Sequence, residues 1–151
     1  MPNNRKLIRG RVSPIALIGT IGVVLLVFLL FFVNRDSSGE NGKKFMDALA
    51  RGDAKTLADL SHLPGLDAQQ REAAWKKSVT DYGKHYVFAW KVISVVDASE
   101  TTSAIKLQVN RDLMSQSSYP ENFELPMVKA DGKWKVDVRR IDRRLYPGMP
   151  R

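Results

Sequence analysis

The sequence predicts an α+β protein with a single N-terminal transmembrane helix, and three observations carry that expectation. An uncharged apolar run covers Ile15–Val33, apolar residues then recur at helical spacing up to Tyr82, and from Lys84 the period changes to two. A run of helices followed by a run of strands is the α+β pattern, here three helices and then about four antiparallel strands. The 151 residues allow one ordinary domain plus an appended segment. With 44% hydrophobic and 26% charged residues, the chain as a whole is too apolar to be disordered. Zero cysteines exclude a disulfide scaffold, a thiolate metal site and thiol chemistry.

A formal charge of +8 suggests a nucleic-acid or acidic-surface binder until the charges are located. Arg5, Lys6, Arg9 and Arg11 precede the apolar run, with no acid among them. Arg139, Arg140, Arg143, Arg144 and Arg151 crowd the C-terminus against Asp142 alone. The stretch 34–138 balances. The basic segment at the N-terminus is therefore a topology signal, and the one at the C-terminus needs its own explanation.

Residues 1–14 form a basic leader, and a helix over Ile15–Val33 spans about 28 Å, close to the ~30 Å hydrocarbon core. Ile15, Leu17, Ile21, Leu25, Phe28 and Phe32 are representative of the membrane-spanning side chains. Pro14 suits the first helical position after Ser13 as N-cap. The run exceeds a signal-peptide core and ends in Phe31-Phe32-Val33-Asn34, with no small-x-small cleavage site, so an uncleaved signal-anchor is expected. The cationic leader places the N-terminus in the cytoplasm and the C-terminal domain outside, periplasmic or extracellular, on a bacterial inner or plasma membrane. Gly19 and Gly22 are too close for a GxxxG seam. Residues 34–42 (NRDSSGENG) are expected to be a short flexible linker.

In the domain expected over 43–142, Phe45, Met46, Ala48 and Leu49 define a helix stopped by Gly52. Asp53 caps a second, with Leu57 and Leu60 inward, ending at His62-Leu63-Pro64-Gly65. Asp67 and Gln70 form a capping box for a third, carrying Trp75, Val79 and Tyr82 and ended by Gly83. A long strand follows from Lys84, with Tyr86, Phe88, Trp90 and Val92 on one face and Val87, Ala89, Ile93 and Val95 on the other. Such a strand is covered on both faces or bent by a bulge near Lys91–Ser94. After a turn at Asp97–Glu100, Ile105, Leu107 and Val109 point inward; Phe123, Leu125 and Met127 follow. Ala130-Asp131-Gly132-Lys133 is a hairpin signal leading to Trp134, Val136 and Val138.

The order FMDALARGDAKTLADLS, a third helix, then strands ending in KADGKWKVDV resembles the nuclear-transport-factor-two-like superfamily, and more narrowly its small membrane-anchored bacterial extracytoplasmic domains of unknown function. The resemblance covers about residues 40–142. It implies a cone: a curved sheet around a long helix, with an interior that in this superfamily serves enzymes, ligand binders and interaction modules alike. Anchor plus cone also resembles the inner-membrane assembly subunit of type IV secretion systems.

Chemistry is sparse. His62 and His85 lack metal-ligand spacing, so no metal is expected, and no Gly-rich phosphate loop or nucleophile elbow suggests a cofactor. The cone enzymes place an Asp or His base on an otherwise apolar inward face, and no acid lies on the inward faces here. No catalytic residue is carried over, and the protein is not expected to be an enzyme. Tyr86, Phe88, Trp90 and Trp134 are candidates for lining a pocket, against the plainer reading that they are core. Residues 143–151 read as an arginine- and proline-rich tail, with Arg139, Arg140, Arg143, Arg144 and Tyr146 as candidate interaction residues; a frayed end is the alternative. Its candidate partners are an acidic subunit or anionic lipid headgroups, since a short linker keeps the domain near the bilayer. Nucleic acid is excluded by the expected location. The reading is a non-catalytic accessory or assembly subunit of a larger bacterial membrane complex, docking on other membrane-protein subunits. Its alternatives are a sensor or carrier whose cone takes a small apolar ligand, or a cone-type hydrolase or isomerase.

Overall fold

The computed structural model describes residues 36–111 and 119–151. The basic leader and the expected span, with Ile15, Leu17, Ile21, Leu25, Phe28 and Phe32, lie outside the described residues. Among the described residues no helix is long and apolar enough to cross a membrane.

Helix α1 (Ser38–Arg51) begins inside the stretch expected to be a linker. Ser37 is the N-cap, its hydroxyl accepting from the Glu40 N–H at 3.2 Å. Ser38, Asn41 and Gly42 are buried. The run is polar because it caps and packs closely, not because it is solvated: a Cβ on Gly42 would collide with the Ile105 side chain of the sheet. Residues 36–42 of the expected linker are corrected accordingly, to a chain already folded from Asp36 onward. At the other end Gly52, in the left-handed region at φ 68°, donates to the Ala48 and Leu49 carbonyls and stops the helix as expected.

Asp53 caps α2 (Ala54–Leu60) through Thr56, whose N–H and hydroxyl both donate to its carboxylate and hold the carboxyl below its ordinary range. Asp67 and Gln70 form the reciprocal capping box of α3 (Ala68–Tyr82). Between them Ser61–His62, expected to be only a helix stop, forms a two-residue strand β1, too short to show any period in the sequence.

The sheet is completed by β2 (Ala89–Asp97), β3 (Thr102–Asn110), β4 (Glu121–Ala130) and β5 (Lys133–Asp137), with order β1-β5-β4-β3-β2. It has five strands rather than about four. It is mixed rather than purely antiparallel, because β1 runs parallel to β5 through Ser61 opposite Val136 and His62 opposite Asp137. The four longer strands form the expected antiparallel meander. Asp131 and Gly132, at φ 54° and 74°, make the β4–β5 turn, both central residues positive as a two-residue hairpin of this hand requires.

β2 starts at Ala89, not Lys84, so Tyr86 and Phe88 lie in the connection before it. A bulge between Val92 and Ser94 puts Val92 opposite Leu107 and, one residue out of step, Val95 opposite Ile105. Val87, Ile93, Val95 and Val96 are exposed, so the second apolar face is not covered among the described residues.

The helices pack on the inner face of this sheet. Phe45, Met46 and Leu49 from α1, Leu57 from α2 and Trp75 from α3 meet Ile105, Leu107, Val109, Leu125, Met127 and Val136 in one core. Phe45 and Trp75 contact edge-to-face, ring centroids 5.7 Å apart. The Trp75 indole donates to Ser61 Oγ at 2.9 Å, and Ser61 in turn donates to the Leu57 carbonyl, so this buried polar pair is satisfied.

Candidate functional site

Two groups of residues are candidates, the interior of the cone and the C-terminal segment, and the fold joins them. After β5 a turn of 3-10 helix (Val138–Arg140) leads the chain back onto α3 and the connection before β2. Ile141, Leu145, Tyr146 and Met149 are buried in the same core as the helices and the sheet. The segment expected as an arginine- and proline-rich tail is therefore part of the domain. Tyr146, a candidate surface contact in the sequence, is 1% exposed and faces inward.

Its attachment is specific. Tyr146 packs on Tyr86 at 5.5 Å and on Tyr82 at 6.5 Å between ring centroids. Ser78 Oγ donates to the Gly148 carbonyl, and the Arg111 guanidinium donates to the Arg144 carbonyl. Gly148 lies flat against the Tyr82 ring, where any side chain would overlap it. Arg151 reaches back to the carbonyls of Arg139 at 2.7 Å and Ile141 at 3.2 Å, closing the segment on itself. Sequence reasoning did not single out Ser78, Arg111 or Gly148. The usable signal was the spacing of Leu145, Tyr146 and Met149 among prolines, a pattern of anchors that also fits docking on the chain's own core.

The arginines divide by partner. Arg139 donates to the Pro64 carbonyl at 2.7 Å. Arg144 grips Asp142 at 2.8 and 3.0 Å and holds that carboxyl below its ordinary range. Arg140 and Arg143 are exposed, and among the described residues nothing pairs with them.

The four aromatics proposed to line a pocket are not brought together as one. Phe88 and Trp134 are buried core, and the Lys129 ammonium lies 6.0 Å from the centre of the Trp134 ring. Tyr86 supports Tyr146, while Trp90 borders a shallow depression of about 280 Å³ with Lys91, Gln108 and Pro120. The buried polar side chains are Ser38, Asn41, Ser61, Ser78 and Ser103, with no acid or histidine among them in the described core. Two buried polar atoms lack a hydrogen-bond partner among the described residues, Arg71 Nε and the Tyr146 hydroxyl, and burial, reinforced by Tyr86, raises the pKa of Tyr146 above 10.0. His62 lies on β1 and His85 before β2, towards opposite edges of the sheet. Among the described residues no three His, Cys, Asp or Glu side chains gather as metal ligands.

No family model matches the chain, and no curated protein does. Solved structures do resemble it. A nuclear-transport-factor-two-like protein of unknown function from Shewanella oneidensis is 16% identical over 64% of this chain and 88% of its own, with a TM-score of 0.45. A domain of unknown function with a cystatin-like fold from Nostoc punctiforme is 12% identical over 65% and 69%, with a TM-score of 0.47. A ketosteroid isomerase-like protein from Erwinia carotovora is 11% identical over 65% and 86%, with a TM-score of 0.44. Each of these likenesses is one of fold alone.

Proposed function

We propose that this protein is a non-catalytic, membrane-anchored accessory or assembly subunit, whose cone-like domain docks on other subunits of a larger bacterial membrane complex. The observation that supports this reading best is the filled interior. Helix side chains occupy the inner face of the sheet, and Leu145 and Tyr146 are buried in the same core. A cone-type hydrolase or isomerase needs a carboxylate or imidazole aimed into an apolar cavity, and the described buried side chains supply neither. An uncharged span at Ile15–Val33 and exposed, unpaired arginines on a well-anchored segment suit a docking subunit.

Purification from native membranes in a gentle detergent, with identification of co-purifying subunits, tests the proposal. A stoichiometric partner is the expected result, and a clean monomer would sink it. The ligand-carrier reading has one observation in its favour, the orphaned Tyr146 hydroxyl beside Tyr82 and Tyr86. A ligand there would have to displace the C-terminal segment, so saturating amounts of it should expose that segment to protease.

A further inference from the structure

The two edges of the sheet are finished differently. At one, β1 is only two residues long and lies beside β5. At the other, β2 runs for nine residues without a proline, and among the described residues no strand pairs with its outer side. Such an edge offers unpaired N–H and C=O groups to another strand. Exposed aliphatic side chains collect there. Val87, just before β2, and Ile93, Val95 and Val96 within it are 64, 53, 41 and 47% exposed.

The bulge decides which strand fits this edge. Before it, Trp90 and Val92 lie opposite buried Val109 and Leu107 on the helix side, and Lys91 lies opposite Gln108 on the outer side. After it, Val95 and Asp97 lie opposite buried Ile105 and Ser103, while Ser94 and Val96 lie opposite Lys106 and Ala104 on the outer side. Ile93, which β3 leaves unopposed, also points outward, bordering a depression of about 510 Å³ with Lys106, Gln108, Asn122 and Glu124. The faces are therefore symmetric about the Ile93–Ser94 peptide. Counted away from it in either direction, the side chains run outer, helix side, outer, helix side. A regular strand alternates, so its faces are symmetric about a residue and never about a peptide.

We infer that β2 pairs antiparallel with β2 of a second copy, about a two-fold axis between the Ile93–Ser94 peptides, so that each sheet continues into the other. In that register Val92 meets Val95 of the second copy on the helix side, and Ile93 meets Ser94 and Lys91 meets Val96 on the outer side. Each contact is made twice, as a closed two-fold interface requires. No like charges are set opposite, since Asp97 meets Trp90. Shifted by one residue either way, Val95 would meet outward Ile93 or Lys91, and Val92 would meet outward Val96 or Ser94. A regular strand could follow β2 only as β3 does, with Ile93 left unopposed. A second copy opposes every residue from Trp90 to Asp97, because it carries the same bulge at the same place. A bulge ordinarily blunts an edge; here it selects the partner. The pairing involves residues of the folded domain alone and does not rest on the anchored reading.

The chain has no cysteine, so introduced thiols can report the register without background. Lys91→Cys/Val96→Cys in the full chain, kept in a mild detergent, sets thiols opposite each other twice, within the roughly 4.4–6.8 Å between Cα atoms that a disulfide spans. Oxidation should give a covalent dimer. Lys91→Cys/Val95→Cys sets its thiols on opposite faces and should stay monomeric on a non-reducing gel. A covalent dimer from the second variant, or none from the first, overturns the register. Sedimentation velocity tests the association itself. Ile93→Lys and Ile93→Glu each bring like charges together at the axis and should weaken self-association about ten-fold or more. Their circular dichroism should be unchanged, since Ile93 is exposed. Mixed in equal amounts, the two variants should associate again, because a cation then meets an anion. A full chain that is monomeric overturns the proposal, whether β2 stays free or takes a strand of another protein. A dimer indifferent to both charges also overturns it, because its contact would lie elsewhere.

Discussion

Two segments that composition marks as lying outside the domain, 36–42 and 143–151, are both built into it, by different physics. The first contains no large apolar side chain. It is held by the hydrogen bonds of Asp36, Ser38 and Asn41 and by close approach of Gly42 to the sheet. The second is held mainly by apolar burial of Leu145, Tyr146 and Met149, next to buried Ile141, with its charges turned outward. The contrast teaches that polar composition argues for solvent only when the polar groups have no backbone to satisfy. It also predicts different weak points: steric at one end, cavity-forming at the other.

The largest expected effect is at the apolar segment. Leu145→Ala removes a fully buried side chain and should cost about 3 kcal/mol in urea unfolding. A loss below about 0.5 kcal/mol would mean that the segment is not part of the cooperative core. Gly42→Val should cost about 2 kcal/mol by forcing α1 away from Ile105, and Ile105→Ala in the same chain should recover part of that loss. Strict additivity of the two would remove the steric explanation.

A smaller effect of opposite sign follows from the orphaned hydroxyl. Tyr146→Phe removes a buried polar atom that has no partner, and should stabilise the protein by about 1 kcal/mol. The same phenol makes stability depend on alkaline pH. Its folded pKa is raised above 10.0, so the contribution is intact below pH 10 and is lost as pH rises through the higher folded value. The Phe variant should lack that part of the alkaline loss. The smallest effect concerns the exposed pair at the turn: Asp142 should titrate below its ordinary value by NMR and move up towards it in Arg144→Gln, where the residue-144 N–H and Arg111 remain. An unchanged titration would mean that the pair does not form in solution.

Much of the scaffold was legible. Gly52, the Asp67–Gln70 box and the Asp131-Gly132 turn act through local backbone geometry, which a few neighbouring residues determine. The alternation in β3 and β5 reads directly because one face is buried. Strand β1 was not legible, since two residues carry no period and its pairing partner is 75 positions away, at Val136. The candidate site was legible only in part. Arg140 and Arg143 are where an exposed basic segment puts them, but the inward turn of Tyr146 depends on Tyr82 and Tyr86.

By itself the sequence determined what is local or compositional: the apolar run and its basic flank, the helix stops and starts, the period-two strands and a neutral body between two basic ends. Only the tertiary structure decided that the C-terminal segment lies over the cone, and that Gly42 is a contact rather than a joint. Both depend on which surfaces meet across long separations, where burial energy is shared among residues that no local pattern links.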